Sequence, residues 1–384
     1  MSSRIFLDAN AGLAVRPEAI AEFQRVERDC PGNPSSLHRS GRKAQGVLET
    51  ARSKVASLLR CNSSELVFTS GATEASNLAL LGMVRATSEL QGRKLCLLAS
   101  QAEHPAVLGP LRLLQQEGHR LRFLELDSHG RSKLETWPED PPDLVAMQWA
   151  NNETGVVQPL QELLELLPPN CLWFCDAVQG IGKLDFSALL LSASSFVLSG
   201  HKFGAPKGIG AWALRADAMF AAPIVGGGHQ RGRRPGTESP SLAAALAIAL
   251  ELSAKDQEEN AKNWEKCRTE FLAVIRSKIS ALQENHPQDG RGLMNTLSLS
   301  FPGVDGRMLL PALDADGLDV SAGSACSSGA PTPSPVLLSA GLTTDLANAS
   351  IRVSFSPSIE LSEARRAAEI LCMTVARLYE VANR

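Results

Sequence analysis

Short apolar runs separated by amphipathic stretches set the pattern of the first part of the chain. Runs over residues 66–69, 95–98, 121–124, 144–147, 172–174, 196–198 and 210–214 are bounded by small or polar residues, as buried strands are. Between several of them lie stretches with helical spacing, such as 106–116 and 160–167. Strand and helix in alternation predict an α/β fold with a mainly parallel sheet covered on both faces. Ligands of such sheets sit beyond the carboxyl ends of the strands, so the chemistry is expected just after each run. From about Pro240 the pattern becomes a long helical stretch that runs, with breaks, to Leu282; its charge-dense part, 255–268, reads as a solvated face. After a polar loop at 286–291, strands return at 293–301 and 351–355, with helices at 306–313 and 361–379. The predicted division is a large domain over 15–258 and a smaller α+β domain made of 1–14 and 259–384, the N-terminal strand folding onto the latter.

The length of 384 residues agrees with one large or two modest domains. A net charge of −3, from 38 basic and 41 acidic residues, offers no surface for nucleic acid or an anionic membrane. No apolar run reaches the roughly 18–20 residues of a membrane span. Asp8 interrupts the N-terminal segment where a signal peptide needs a continuous apolar core. Eight irregularly spaced cysteines fit a reducing compartment, so a cytoplasmic protein is expected.

Candidate chemistry follows the predicted strands. Thr69-Ser-Gly-Ala-Thr-Glu-Ala-Ser-Asn77 opens a helix with small and hydroxyl residues, which suits a phosphate but equally an ordinary capped helix start. It lacks the lysine of a nucleotide P-loop. Asp176 ends a buried-looking strand, where a carboxylate can pair with a cationic ring nitrogen such as that of pyridoxal 5'-phosphate (PLP), or simply cap a turn. Ser199-Gly-His-Lys202 follows another strand and makes Lys202 a candidate Schiff-base nucleophile. A lone lysine is far more often a surface group; the ordered set of phosphate turn, Asp and Lys is what favours chemistry. The Gly226–Thr237 loop, with three consecutive glycines followed by three arginines, suits anions. Ser321-Ala-Gly-Ser-Ala-Cys-Ser-Ser-Gly329 surrounds Cys326 with small residues, as a loop presenting a thiol requires, whereas the other seven cysteines read as packing residues. Arg352 begins a short strand and has the fork to grip a carboxylate, although a surface ion pair is the commoner use of an isolated arginine. No metal-ligand spacing appears among the His and Cys residues.

Together with Asn151-Asn-Glu-Thr-Gly-Val-Val-Gln158 and Asp176-Ala-Val-Gln179, these motifs resemble a cysteine desulfurase of the class V aminotransferase-like PLP enzymes, in family order over essentially the whole chain. The resemblance implies PLP-enzyme fold type I: a large domain with a seven-stranded, mostly parallel sheet, a small domain, and a homodimer. It implies that Lys202 carries the cofactor and later moves the Cα proton, and that Asp176 holds the pyridinium protonated. Gln179 contacts the phenolic oxygen, and Asn152 touches the cofactor and the substrate side. His104 stacks on the ring and is the candidate base for Cys326. Thr73, Ser199, His201 and a backbone N–H at Ala72 grip the phosphate, and Thr237 reaches it from the other subunit. Arg352 clamps the substrate carboxylate. L-cysteine is converted to L-alanine while Cys326 takes the sulfur as a persulfide for a protein acceptor, with iron–sulfur cluster assembly among the family's uses.

The chain departs from the family at Ala11-Gly-Leu-Ala14, where an Ala-Thr-Thr-Pro run is usual, and at Phe355-Ser-Pro-Ser358 after the Arg352 strand. It ends at Arg384 without the longer tail that some members use to dock an iron–sulfur scaffold protein, which leaves the acceptor open. A selenocysteine lyase or another PLP-dependent C–S lyase is the alternative within enzymes. A plain aminotransferase would not need the thiol. A catalytically silent assembly protein of the same fold is the non-enzymatic alternative.

Overall fold

The computed structural model describes residues 4–185, 188–322 and 332–382. The chain begins with β1 (Ile5–Phe6), α1 (Pro17–Asp29) and α2 (Arg39–Leu58). Then come β2 (Leu66–Thr69), α3 (Ala72–Gln91), β3 (Cys96–Ser100), α4 (Pro105–Gln116), β4 (Arg120–Leu124) and β5 (Leu144–Gln148). α5 (Leu160–Leu166), β6 (Leu172–Asp176), β7 (Ser195–Ser199) and β8 (Gly210–Leu214) follow. Strands β2 to β8 form one seven-stranded sheet in the order β2-β8-β7-β6-β5-β3-β4, in which β8 alone runs against its neighbours. The predicted α/β class and the mostly parallel sheet are therefore borne out.

Both faces of the sheet are covered. Along β6, Trp173 and Cys175 face one core while Leu172 and Phe174 face the other. β5 and β7 divide in the same way, Val145, Met147, Phe196 and Leu198 against Leu144, Ala146 and Val197. Burial on both sides is why these strands read as continuous apolar runs instead of alternating ones.

Beyond the sheet lie α6 (Pro240–Lys278), β9 (Gln283–Glu284), β10 (Thr296–Ser300), α7 (Gly306–Ala315) and β11 (Leu318–Asp319). The last elements are α8 (Pro335–Ser339), α9 (Thr344–Asn348), β12 (Ser350–Ser354) and α10 (Leu361–Ala382). The breaks expected within 240–282 are absent: α6 is one helix of 39 residues, about 58 Å long. It stays continuous because it serves two cores. Ala243, Leu246 and Leu250 pack under the large sheet, whereas Trp264, Phe271 and Ile275 belong to a second core built on β10, β12 and α10. Ile5 and Leu7 join that second core, where β1 pairs with β11 and Asp8 bridges to Ser354. No helix among the described residues is long and apolar enough to cross a membrane.

Phe271 is fully buried on α6 and meets the Phe355 ring edge-on at 5.7 Å. Phe271→Ala leaves a cavity in the second core and should cost about 3–5 kcal/mol. Chemical denaturation should show this as a clearly lower midpoint. A change under about 1 kcal/mol would mean that this core collapses around the deletion.

Candidate active site

Six strands pointing the same way bring their carboxyl ends to one edge of the sheet, and a cavity of about 520 Å³ lies there. Asp176 is the last residue of β6, paired with Gln148 of β5 on one side and Val197 of β7 on the other. Lys202 lies in the short link between β7 and β8, after Ser199 ends β7. Its Nζ donates to the carbonyls of Asn10 (2.7 Å) and Ala11 (3.0 Å). Across the cavity, the turn after β2 leads into α3, whose N-cap is Gly71 and has no side-chain cap, so the first backbone N–H groups of the helix have no side-chain acceptor of that kind. The turn packs on β8 closely: a Cβ on Gly210 would come within 2.7 Å of the Gly71 Cα. Ser199 Oγ and His201 Nδ1 share a hydrogen bond of 3.1 Å beside this turn.

His104 caps α4, its Nδ1 accepting from the Ala106 N–H at 3.1 Å. Asn151 is fully buried and its Oδ1 accepts from the N–H groups of Glu153 and Thr154, both at 2.8 Å, which fixes the turn that presents Asn152. Arg352, on β12, is also fully buried. Its Nη1 donates to the Asn152 carbonyl (3.1 Å) and its Nη2 to Asp8 (2.6 Å), while Nε has no partner among the described residues.

Burial dominates the electrostatics. It pushes the Asp176 carboxyl up to about 6, against the pull of the Val178 N–H and of Lys202. Glu103, next to His104, is raised well above the usual carboxylate range by burial, and among the described residues only one of its oxygens is engaged, by the Gln148 N–H at 2.8 Å. Burial and the charges of Lys202 and Lys207 lower His201 to about 4, and burial with Lys202 lowers His104 as well, so both imidazoles are neutral at pH 7. Glu153, whose carboxylate accepts from Ser334 Oγ, is raised to about 7 by burial.

Ala72, Thr73, His104, Asn152, Asp176, Gln179, Ser199, His201, Lys202 and Arg352, all singled out from the sequence, line this one cavity. Thr237 does not, and Cys326 lies outside the described residues. Reasoning from sequence missed Asn10, Gln148 and Lys207, which also line it, and the groups behind the wall: Asp8, Glu103 and Lys183. Only Asp8 and Asn10 carried a usable signal, polar residues immediately after an apolar strand end. Lys183 and Glu103 carried none, because a charged residue reads as solvated unless its burial is known. No group of three or more His, Cys, Asp or Glu side chains among the described residues is arranged to hold a metal ion.

Residues 5–366 match the family model described as aminotransferase class-V. A cysteine desulfurase of a Nostoc species is 35% identical over 380 residues, covering 98% of this chain and 94% of the relative. Among solved structures, a NifS-like protein superposes with a TM-score of 0.88 at 31% identity, covering 98% of this chain and 100% of its own. SspA in complex with cysteine superposes with a TM-score of 0.76 at 28% identity, covering 92% and 99%.

The lowered His201 value has a consequence for stability. Between pH of about 6.5 and 4 the unfolded chain binds a proton at this residue that the folded chain refuses, so stability contributed here is lost as pH falls through that window. The raised carboxyls of Asp176 and Glu153 act with the opposite sign, so the test is a difference. In the cofactor-free protein, His201→Asn should make the acid-side fall of the urea midpoint shallower than in wild type. Parallel curves over that window would show that His201 titrates alike folded and unfolded.

Proposed function

The chain belongs to the class-V aminotransferase family, and we propose that within it this protein is a PLP-dependent L-cysteine desulfurase. The observation that carries the reading is the convergence of Lys202, Asp176 and Arg352, from three separate parts of the sequence, on one cavity beside an uncapped helix N-terminus. The residues fit the cofactor. The free N–H groups at Ala72 and Thr73, with Ser199 and His201, suit its phosphate. The buried Asp176 carboxyl suits its ring nitrogen, and Lys202 Nζ, which donates to the Asn10 and Ala11 carbonyls, suits covalent attachment. When bound, PLP supplies an electron sink for the charge that develops at the substrate Cα.

The chain's own groups do the rest. Lys202 holds the cofactor and moves the proton at Cα. Gln179 and Asn152 would contact the cofactor, and His104 would cover its ring. Arg352 lines the cavity, and its Nη1 and Nη2 each keep a second N–H for the substrate carboxylate while Asp8 and Asn152 fix its plane. Cys326 as thiolate attacks the substrate sulfur: the S–S bond forms as the C–S bond breaks, and carbon keeps the electron pair and gains a proton to give alanine. His104, neutral at pH 7, is the group proposed to take the thiol proton, which requires its Nδ1 to give up the Ala106 N–H or its ring to change tautomer. The persulfide then passes to a protein acceptor. A homodimer, in which Thr237 serves the partner's cavity, is supported by the place of Thr237 outside its own. The division into 15–258 and 1–14 with 259–384 is supported by the two hydrophobic cores, and a cytoplasmic location by the eight cysteines.

Two tests follow. The PLP-loaded protein should show a visible absorbance band that borohydride bleaches and that Lys202→Ala lacks; Cys326→Ala should keep the band yet release almost no sulfide or persulfide from cysteine. A wild type that stays colourless with added PLP overturns the reading, and a Cys326→Ala variant working at the wild-type rate moves it to a lyase that expels sulfide directly. Arg352→Lys loses the planar fork and should reduce kcat/KM for cysteine by roughly 30- to 150-fold, about 2–3 kcal/mol, with little change in the resting spectrum. Unchanged kcat/KM would place the carboxylate site elsewhere.

A further inference from the structure

Lys183 is a buried lysine for which the reaction above has no task. It ends the turn that follows β6, and two glycines let that turn press inward. A Cβ on Gly180 would sit 2.1 Å from the Trp149 ring, and Gly182, at φ +76°, would bring one equally close to Ser253 Oγ on α6. The Lys183 carbonyl accepts from Gln257 Nε2 on the same helix at 3.2 Å, which leaves the side chain pointing toward the cavity wall. There Nζ donates to Asn10 Oδ1 at 2.7 Å and to Gln179 Oε1.

These contacts decide how Gln179 faces the cavity. An amide has a donor end and an acceptor end of nearly the same shape, so its orientation is set by its partners. Lys183 engages the oxygen. The other end, Nε2, donates to the Asn10 carbonyl at 3.2 Å, the same oxygen that receives Lys202 Nζ. Asn10 cannot turn to release either group, because its Oδ1 also accepts from Asn295 Nδ2 (3.1 Å) and its Nδ2 donates to Thr296 Oγ1 (2.9 Å). Burial and the neighbouring charges of Lys202 and Arg352 push the Lys183 amine well below its usual range. Even the neutral amine has two N–H donors for its two acceptors.

We propose that Lys183 is a positioning residue that locks the Gln179 amide with its N–H₂ end toward the cavity, so that Gln179 presents a donor to the phenolic oxygen of PLP. This rests on the reading that PLP occupies the cavity. A donor on that oxygen favours its anionic form and so lowers the pH at which the visible band of the loaded protein changes.

The experiment is a pH titration of the visible band in PLP-loaded wild type, Lys183→Met, Gln179→Met and the double variant. Each single substitution should raise the midpoint by about one pH unit, the value of one hydrogen bond to a charged group. The double variant should shift no further than either single one, because the two act through one contact. A Lys183→Met midpoint equal to wild type overturns the proposal. So does a Lys183→Met shift that persists in full on the Gln179→Met background, which would make Lys183 a simple charge effect. If Lys183→Met does not fold, Lys183→Gln, which keeps one donor, should give a smaller upward shift, and none would overturn the proposal. A wild type without any band sinks the PLP reading and this inference with it, whereas a normal wild-type band with unmoved variants sinks the inference alone.

Discussion

The common direction of six strands in the large sheet is the constraint from which the site follows. Parallel strands need crossover connections, and these put every return segment at the same edge. Asp176, Gln148 and Ser199 each end such a strand, and their spacing in the cavity is the spacing of the sheet itself. β8, the one antiparallel strand, follows β7 by a short link, and that link carries Lys202. Lys202 is thus held on a ten-residue connection between two neighbouring strands of the sheet.

Low dielectric then shapes the chemistry of the groups gathered there. Burial alone would neutralise most of them, which is the direction seen at Asp176, Glu103, Glu153, His104, His201 and Lys183. Fixed hydrogen bonds offset part of that cost: Asp8 and Asn152 on Arg352, the Val178 N–H on Asp176, and backbone carbonyls on Lys202. Such contacts hold the groups in place before any ligand arrives, which is how an enzyme avoids reorganising its site during reaction.

The N-terminal segment ties the two cores together at this point. β1 and Leu7 belong to the second core, and within a few residues Asn10 and Ala11 receive Lys202. The departure of Ala11-Gly-Leu-Ala14 from the usual family sequence therefore falls directly beside Lys202. Here the backbone does the work: the carbonyls of Asn10 and Ala11 make the contacts with Lys202, which any side chain permits. α6 provides the rigid support, since one uninterrupted helix packs against both cores.

The sequence by itself determined the strand runs, the carboxyl edge as the place for chemistry, and the residue types of the cofactor set, because apolar period and motif order are local properties. It did not reveal that α6 is continuous, since a helix that changes partners midway changes its apolar face and looks broken. Nor did it reveal Asn10, Asp8, Glu103 or Lys183. Asp8 meets Arg352 across 344 residues and Lys183 meets Asn10 across 173, so neither pair leaves a spacing to read. Whether a charged side chain is solvated or buried is settled only when distant segments close over it, and burial is what turned these ordinary-looking residues into the supports of the site.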